Sequence, residues 1–285
     1  MGKKIILSAD STCDLTPELF EKYNISRLPL YITFGEKAFR DGIEITPDEL
    51  YQKVKENGVM PKTSAVSVGD FIEYFEGLLK DADQVIHFSL SSGLSCTYQN
   101  AVLAAAEFEG RVFPVDTLNL STGEALTILH AAEMLAEGKT AEEVVADCEE
   151  FVKRVDASFI IDNLEYLRKG GRCSALAALG ANLLSIKPCI EVSGGKMDVG
   201  KKYRGKFKAV LQKYIEERLA DGDFDTHRIF VTHAGCSDDV VDMAYQAVVD
   251  TGLFSEVLLT RAGCTISSHC GADTLGILFV RNHEI

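Results

Sequence analysis

The stretch Val85-Ile-His-Phe-Ser-Leu-Ser-Ser-Gly-Leu-Ser-Cys-Thr-Tyr-Gln-Asn100 decides how the chain is read. Its apolar start, Val85-Ile86-His87-Phe88, has the length and composition of a short buried strand. The small-residue run Ser89–Gly93 follows, in which only Leu90 is large, and Leu94–Glu107 resumes as an Ala-rich helix. Strand, polar turn and helix in that order make a binding corner of α/β proteins. A helix N-terminus offers unpaired N–H groups and a positive dipole end, both attractive to an anion. Ser91, Ser92, Ser95 and Thr97 add hydroxyl donors there. These features predict that an oxygen anion sits on this turn.

The same alternation runs outward from the turn. Lys4–Ser8 reads as a first strand, with the turn Asp10-Ser-Thr-Cys-Asp14 behind it and a short helix near Pro17. Ile25–Phe34 is β-branched and aromatic and reads as one strand interrupted at Pro29, with Phe39–Gly42 as a turn. Thr46-Pro-Asp-Glu49 and Thr140-Ala-Glu-Glu143 open helices as capping boxes. Pro61–Ser67 reads as an extended loop, Phe71–Lys80 as a helix, Val112–Val115 as a strand and Ser121–Glu137 as a long helix. Residues 1–155 are thus expected to form a mostly parallel sheet covered on both faces. Ligands of such sheets sit beyond the carboxyl ends of the strands, where Asp10–Asp14, Ser89–Ser95 and Asp116–Asn119 fall.

The character shifts near Asp156. Ser158–Asp162 is a strand, Leu164–Arg168 a short helix, and Lys169-Gly-Gly-Arg172 a basic, flexible knob. Ser174–Leu184 reads as an apolar helix. Lys187–Val192 and Lys196–Val199 flank Gly194-Gly195 as a β-hairpin. Phe207–Ala220 and Asp238–Thr251 are helices; Arg228–His233, Glu256–Thr260 and Leu275–Val280 are strands. The small-residue segment around His269 reads as a turn. Residues 156–285 are expected to form a second, α+β domain with a mixed sheet.

Composition narrows the function. A formal net charge of −14 over 285 residues argues against nucleic acid and against adhesion to an anionic membrane. An apolar run long enough for a transmembrane helix is lacking. Eight cysteines are too sparse for a disulfide scaffold and are expected to be reduced cytoplasmic thiols. Metal is not expected: His233-x-x-Cys236 and His269-Cys270 lack paired CxxC spacing. GxGxxG and P-loop motifs are missing too, so no cofactor is expected. Gly93-Leu-Ser95-Cys-Thr97 approaches a nucleophile elbow but fails at Thr97. Ser95 with His269, oriented by Asp273, remains an alternative reading as a serine hydrolase acting on acyl esters.

The chain resembles the DegV family of fatty-acid-binding proteins. The resemblance rests on Asp10-Ser-Thr-Cys-Asp14-Leu15, Lys62-Thr-Ser64, Ser91-Ser-Gly-Leu-Ser95-Cys-Thr-Tyr98, Leu164-Glu-Tyr-Leu-Arg-Lys-Gly-Gly-Arg172 and Ser268-His-Cys-Gly271 with Leu275-Gly276. It implies a three-layer α/β/α N-terminal domain, a two-layer α+β C-terminal domain, and a long-chain, palmitate-like fatty acid buried between them. It implies that Thr63 and Ser95 hydrogen-bond the carboxylate with His269 beside it. Some family members hand the acid to a fatty acid kinase, and Arg172 matches the basic position implicated in docking that partner. A carrier that never meets a kinase is the other form of the same reading. The expected tunnel lining is Phe159–Ile161, Leu176–Leu184 and Ile277–Phe279. The chain departs from the family pattern at Ala65-Val66 and Ala272-Asp273, which bears on the shape of the pocket mouth.

Overall fold

The computed structural model describes residues 3–179 and 186–285. The first half runs β1 (Ile5–Asp10), α1 (Pro17–Lys22), β2 (Ile25–Leu28), β3 (Tyr31–Phe34), β4 (Lys37–Arg40), α2 (Pro47–Asn57), β5 (Lys62–Ser64), α3 (Val68–Leu78), β6 (Gln84–Ser89), α4 (Thr97–Ala105), β7 (Val112–Asp116), α5 (Thr122–Ala136) and α6 (Ala141–Phe151). The second runs β8 (Val155–Ile161), α7 (Glu165–Gly170), a 3-10 turn (Ser174–Leu179), β9 (Lys187–Ser193), β10 (Lys196–Tyr203), α8 (Phe207–Arg218), β11 (Phe224–Ala234), α9 (Asp238–Val249), β12 (Glu256–Arg261), α10 (Cys264–Cys270) and β13 (Thr274–Arg281).

A four-stranded parallel sheet in the order β2-β1-β6-β7 is the expected one. Its strands are apolar on both faces because helices cover both. In β6, Val85 packs with Phe71 and Phe75 of α3, while Ile86 and Phe88 join Leu126 and Leu129 of α5 on the other side. His87 is buried beside Phe71 and Phe75 with Ser8 Oγ at 2.8 Å from its Nδ1, and burial pulls its pKa down to about 3. Both capping boxes form, at Thr46–Glu49 and Thr140–Glu143.

A six-stranded mixed sheet, ordered β10-β9-β8-β13-β11-β12, makes up the second half; only the β11–β12 pair is parallel. Alternation along its strands splits its side chains between two layers. Ile160, Ile229, Val231, Ile277 and Phe279 face α8 and α9. Phe159, Ile161, Phe230 and Leu278 face the core beneath the parallel sheet. The shared layer is α5, which packs against β1 and β6 on one side and β8 and β13 on the other. Thr122–Leu129 are buried without a break, as a helix enclosed on every side requires.

Several expectations are corrected. Ile25–Phe34 is two strands in different sheets: Pro29 has no N–H, and the N–H of Leu30 goes to Ser11 Oγ rather than to a ladder. Pro61–Ser67 and Phe39–Gly42 supply strands, β5 and the end of β4, to a small antiparallel sheet ordered β4-β3-β5. α4 begins at Thr97, not Leu94, because Ser91 and Ser95 hydroxyls accept from Gly93 and Thr97 N–H and hold the chain in turns. The segment before His269 is a helix, α10, not a turn. α7 runs on through Gly170, so the basic knob is half helix. Ser174–Leu179 forms 3-10 turns, and the rest of the expected helix to Leu184 lies outside the described residues. Among the described residues no helix is long and apolar enough to cross a membrane.

Leu129→Ala should cost about 2–5 kcal/mol in urea unfolding, as truncation of a well-packed core Leu does. Because Leu129 belongs to the layer between the sheets, amide exchange should rise in β1 and β8 alike; a rise confined to one sheet would contradict the shared core.

Candidate functional site

A cavity of about 500 Å³ opens where the carboxyl ends of the parallel strands meet α10, α7 and the hairpin β9–β10. That volume is in the range of small-molecule sites. Its wall carries Thr63 from β5, Ser92 and Ser95 from the turn after β6, Arg172 from behind α7, and Thr265 and His269 from α10, with apolar contributions from Leu30, Leu90, Leu120, Met197 and Ile266. Leu120, Ile266 and Cys270 also border a smaller inner cavity of about 30 Å³, which reaches Phe159 and Leu278 of the mixed sheet. Of the expected tunnel lining, Phe159 and Leu278 meet this space, whereas Ile160, Ile277 and Phe279 point to the opposite face of the sheet and pack under α8 and α9. Strand alternation decides which of them can touch a ligand.

The serine turn divides its labour. Ser91 is buried, and its hydroxyl donates to Gly195 O of the hairpin at 2.7 Å. Gly93 is required there, since a Cβ would lie 2.5 Å from the same carbonyl. Ser92 N–H donates to Asp116 Oδ1 and Leu90 N–H to Asp10 Oδ2. Thr97 is buried with its hydroxyl 2.9 Å from Ser95 Oγ. Only Ser92 and Ser95 of the turn's hydroxyl residues line the cavity, and Ser95 stands beside the first residue of α4, where the helix N–H groups point. Ser91 is therefore a structural tie rather than a donor to a ligand.

Thr63 and His269, 206 residues apart in sequence, meet directly: Thr63 Oγ1 lies 2.8 Å from His269 Nε2. The residue is half-buried, and its Nδ1, shielded from solvent, has no hydrogen-bond partner among the described residues. Burial first, and the nearby Arg172 charge second, pull its pKa down to about 4, so the ring is neutral near pH 7. The Gly-Gly pair of the α7 segment has two separate purposes. Gly171 ends α7 in the left-handed conformation, at φ 69°, as a C-cap glycine does. Gly170 makes room: a Cβ there would lie 2.5 Å from His269 Nδ1.

Arg172, expected on a docking face, borders the cavity together with Thr63, Ser95 and His269. Its guanidinium donates to Gly170 O at 2.7 Å. The hydrolase constellation is not assembled. The hydrogen-bond partner of His269 Nε2 is Thr63, that of Ser95 Oγ is Thr97, and among the described residues no carboxylate bonds to Nδ1 to orient the ring as a base. Asp273, proposed for that role, makes no hydrogen bond to the ring; its main-chain carbonyl accepts from Asp162 N–H. Nor do His233 and Cys236 pair: the Cys236 thiol donates to Thr274 O, and among the described residues no group of three or more His, Cys, Asp or Glu is placed to hold a metal. All eight cysteines are unpaired, and Cys96 at the cavity rim is the exposed one.

Sequence reasoning missed Asp41. It is fully buried and, with Asp14, accepts hydrogen bonds from the first N–H groups of α10. A lone Asp before a glycine, in a stretch without periodicity, gives no signal of such a long-range partner.

The His269 ring should titrate near pH 4 in an NMR pH series, not near its ordinary 6.5. Arg172→Gln should move the midpoint upward while leaving it below 6.5, because burial is the larger cause. The lowered value means the unfolded chain takes up a proton that the folded one refuses. The His269 contribution to stability should therefore fall as the pH drops from about 6.5 toward 4, while the raised carboxyls of Asp10 and Asp14 work in the opposite sense. Gly170→Ala should displace the ring and break its contact with Thr63, seen as a shift of the Nε2 resonance; an unmoved resonance would contradict the packing described.

The family described as "Uncharacterised protein, DegV family" matches residues 4–282. A fatty acid-binding protein of Thermotoga maritima is 35% identical over 281 residues, 96% of each chain. A fatty-acid-binding DegV family protein from Thermus thermophilus superposes with a TM-score of 0.90 at 34% identity, over 98% of this chain and 99% of that one. A stearic acid-binding protein from Eubacterium ventriosum superposes with a TM-score of 0.82 at 26% identity, over 96% and 97%. With its fold and nearly its whole length matched, this chain belongs to the DegV family.

Proposed function

We propose that this protein binds a long-chain fatty acid, palmitate-like in length, between two domains formed by residues 1–155 and 156–285. Thr63, Ser95 and His269 hold the carboxylate. The acyl tail runs past Leu120 and Ile266 toward Phe159 and Leu278. The protein binds rather than catalyses, works in the cytoplasm, and presents the carboxylate to a fatty acid kinase, with Arg172 at the contact.

The observation that carries this reading is the convergence of Thr63, Ser95, Arg172 and His269, from four separate segments, on one cavity, with a second, apolar one behind Leu120, Ile266 and Cys270. A carboxylate only accepts hydrogen bonds, so hydroxyls suit it as donors without charge of their own. With its proton on Nε2, neutral His269 donates to Thr63 Oγ1 and leaves the Thr63 O–H free to donate to the acid. The bonds so formed are charge-assisted and stronger than neutral ones. The tail supplies most of the affinity: burying about a dozen methylenes is worth roughly 10 kcal/mol before the costs of association. The relatives named for fatty acid or stearic acid binding support the ligand class.

Native mass spectrometry of the purified protein should reveal a bound species of fatty-acid mass; a clean unliganded mass under gentle conditions would count against the reading. Thr63→Ala and Ser95→Ala should each weaken palmitate binding by about 1–3 kcal/mol. Arg172's place on the cavity wall also favours a second role, as a counter-charge to the bound carboxylate. Arg172→Glu separates the two: kinase capture lost with palmitate affinity intact means docking, whereas lost affinity means contact with the ligand.

A further inference from the structure

The helix that carries His269 is seven residues long, too short to be stable alone. Its sequence, Cys-Thr-Ile-Ser-Ser-His-Cys, is poor in strong helix formers, and its N-cap residue, Gly263, has no side chain to cap it. The first N–H groups of such a helix need partners. Here they come from the other half of the chain. Gly263 N–H donates to Asp14 Oδ1 at 2.7 Å, Cys264 N–H to Asp41 Oδ1 at 2.8 Å, and Thr265 N–H to Asp41 Oδ2 at 3.0 Å. The Thr265 hydroxyl adds a bond of 2.6 Å to the same oxygen.

Asp41 is itself held in place. Ser11 Oγ donates to its Oδ2 at 3.1 Å, its N–H donates to Leu30 O, and the Arg27 guanidinium donates to its carbonyl. Asp14 does a second job through Oδ2, which accepts from Ser121 Oγ at the start of α5. Thr265 and His269 are four residues apart, on one face of α10, and both border the cavity. At 1.5 Å of rise per residue, the ring stands about 6 Å along the axis from the residue that Asp41 grips.

We infer that Asp41, assisted by Asp14, is the positioning residue of the head-group site: its carboxylate fixes the first turn of α10 and so sets the His269 ring against Thr63. It touches no ligand and acts only through the helix. The binding part of the test rests on the fatty-acid reading above; the spectroscopic part does not.

The test uses the full chain, with nitrogen-15 NMR of the His269 ring and palmitate binding measured on the same samples. Asp41→Asn keeps one acceptor but turns an amide N–H₂ toward groups that are themselves donors. It should move the Nε2 resonance toward that of Thr63→Ala, the reference for a lost contact, and weaken palmitate about tenfold. Thr265→Val removes only the hydroxyl bond and should shift both readouts in the same direction by less. If Asp41→Asn does not fold, Thr265→Val decides alone. A His269 resonance that stays in place in the folded variants, whatever happens to their melting temperature, overturns the inference. A resonance that moves in a protein whose wild type fails to bind palmitate upholds the positioning role and rejects the fatty acid.

Discussion

Burial of α5 on all sides is the constraint from which the rest follows. A helix whose first two turns are buried on every face, the polar Glu124 among otherwise apolar or small residues, must be covered by something on each face, and the chain covers it with two different sheets. That sandwich brings the carboxyl ends of the parallel strands up against the segment from β8 to α10. Residues from positions 63, 95, 172 and 269 then border a single space, although nothing local relates them. The site is a product of the seam between layers, which is where ligand pockets of layered folds tend to lie.

The electrostatics of the seam are unusual for so acidic a chain. Burial pushes Asp10 up to about 6 and Asp14 to about 8, and holds Glu124 well above the usual carboxyl range. Glu124 Oε2 accepts from the Thr12 hydroxyl, while its Oε1 has no hydrogen-bond partner among the described residues. The acids therefore serve as hydrogen-bonding groups inside the molecule, and the side of the cavity that faces solvent carries Arg172. A negatively charged head group approaching that opening meets hydroxyls, a neutral imidazole and one guanidinium.

Much of this was legible in the sequence because it is local. The strand–helix alternation follows from periodicity. The capping boxes at Thr46 and Thr140 follow from side chains that reach their own helix, and the hairpin follows from Gly194-Gly195, both at positive φ. The serine turn was visible as an unusual run, but its division into buried tie and cavity wall was not, because Ser91's partner, Gly195, lies 104 residues away. α10 could not be read for the same reason: its residues do not favour a helix, and the carboxylates that stabilise it belong to another part of the chain. The small sheet β4-β3-β5 escaped because its strands are short and partly charged, so neither length nor alternation separates them from loop. Gly170 was taken for flexibility, whereas it is fixed in place by the ring packed against it.

One last consequence concerns the thiols. Seven of the eight cysteines are buried, and burial holds several of them above their ordinary pKa, so that reactive thiolate is scarce in the interior. Cys96 alone is exposed, and it stands at the cavity rim next to Ser95. A maleimide dye would therefore attach at one address, on the doorstep of the cavity. The molecule carries a natural handle from which traffic through that doorway can be watched, without an engineered label anywhere in the chain.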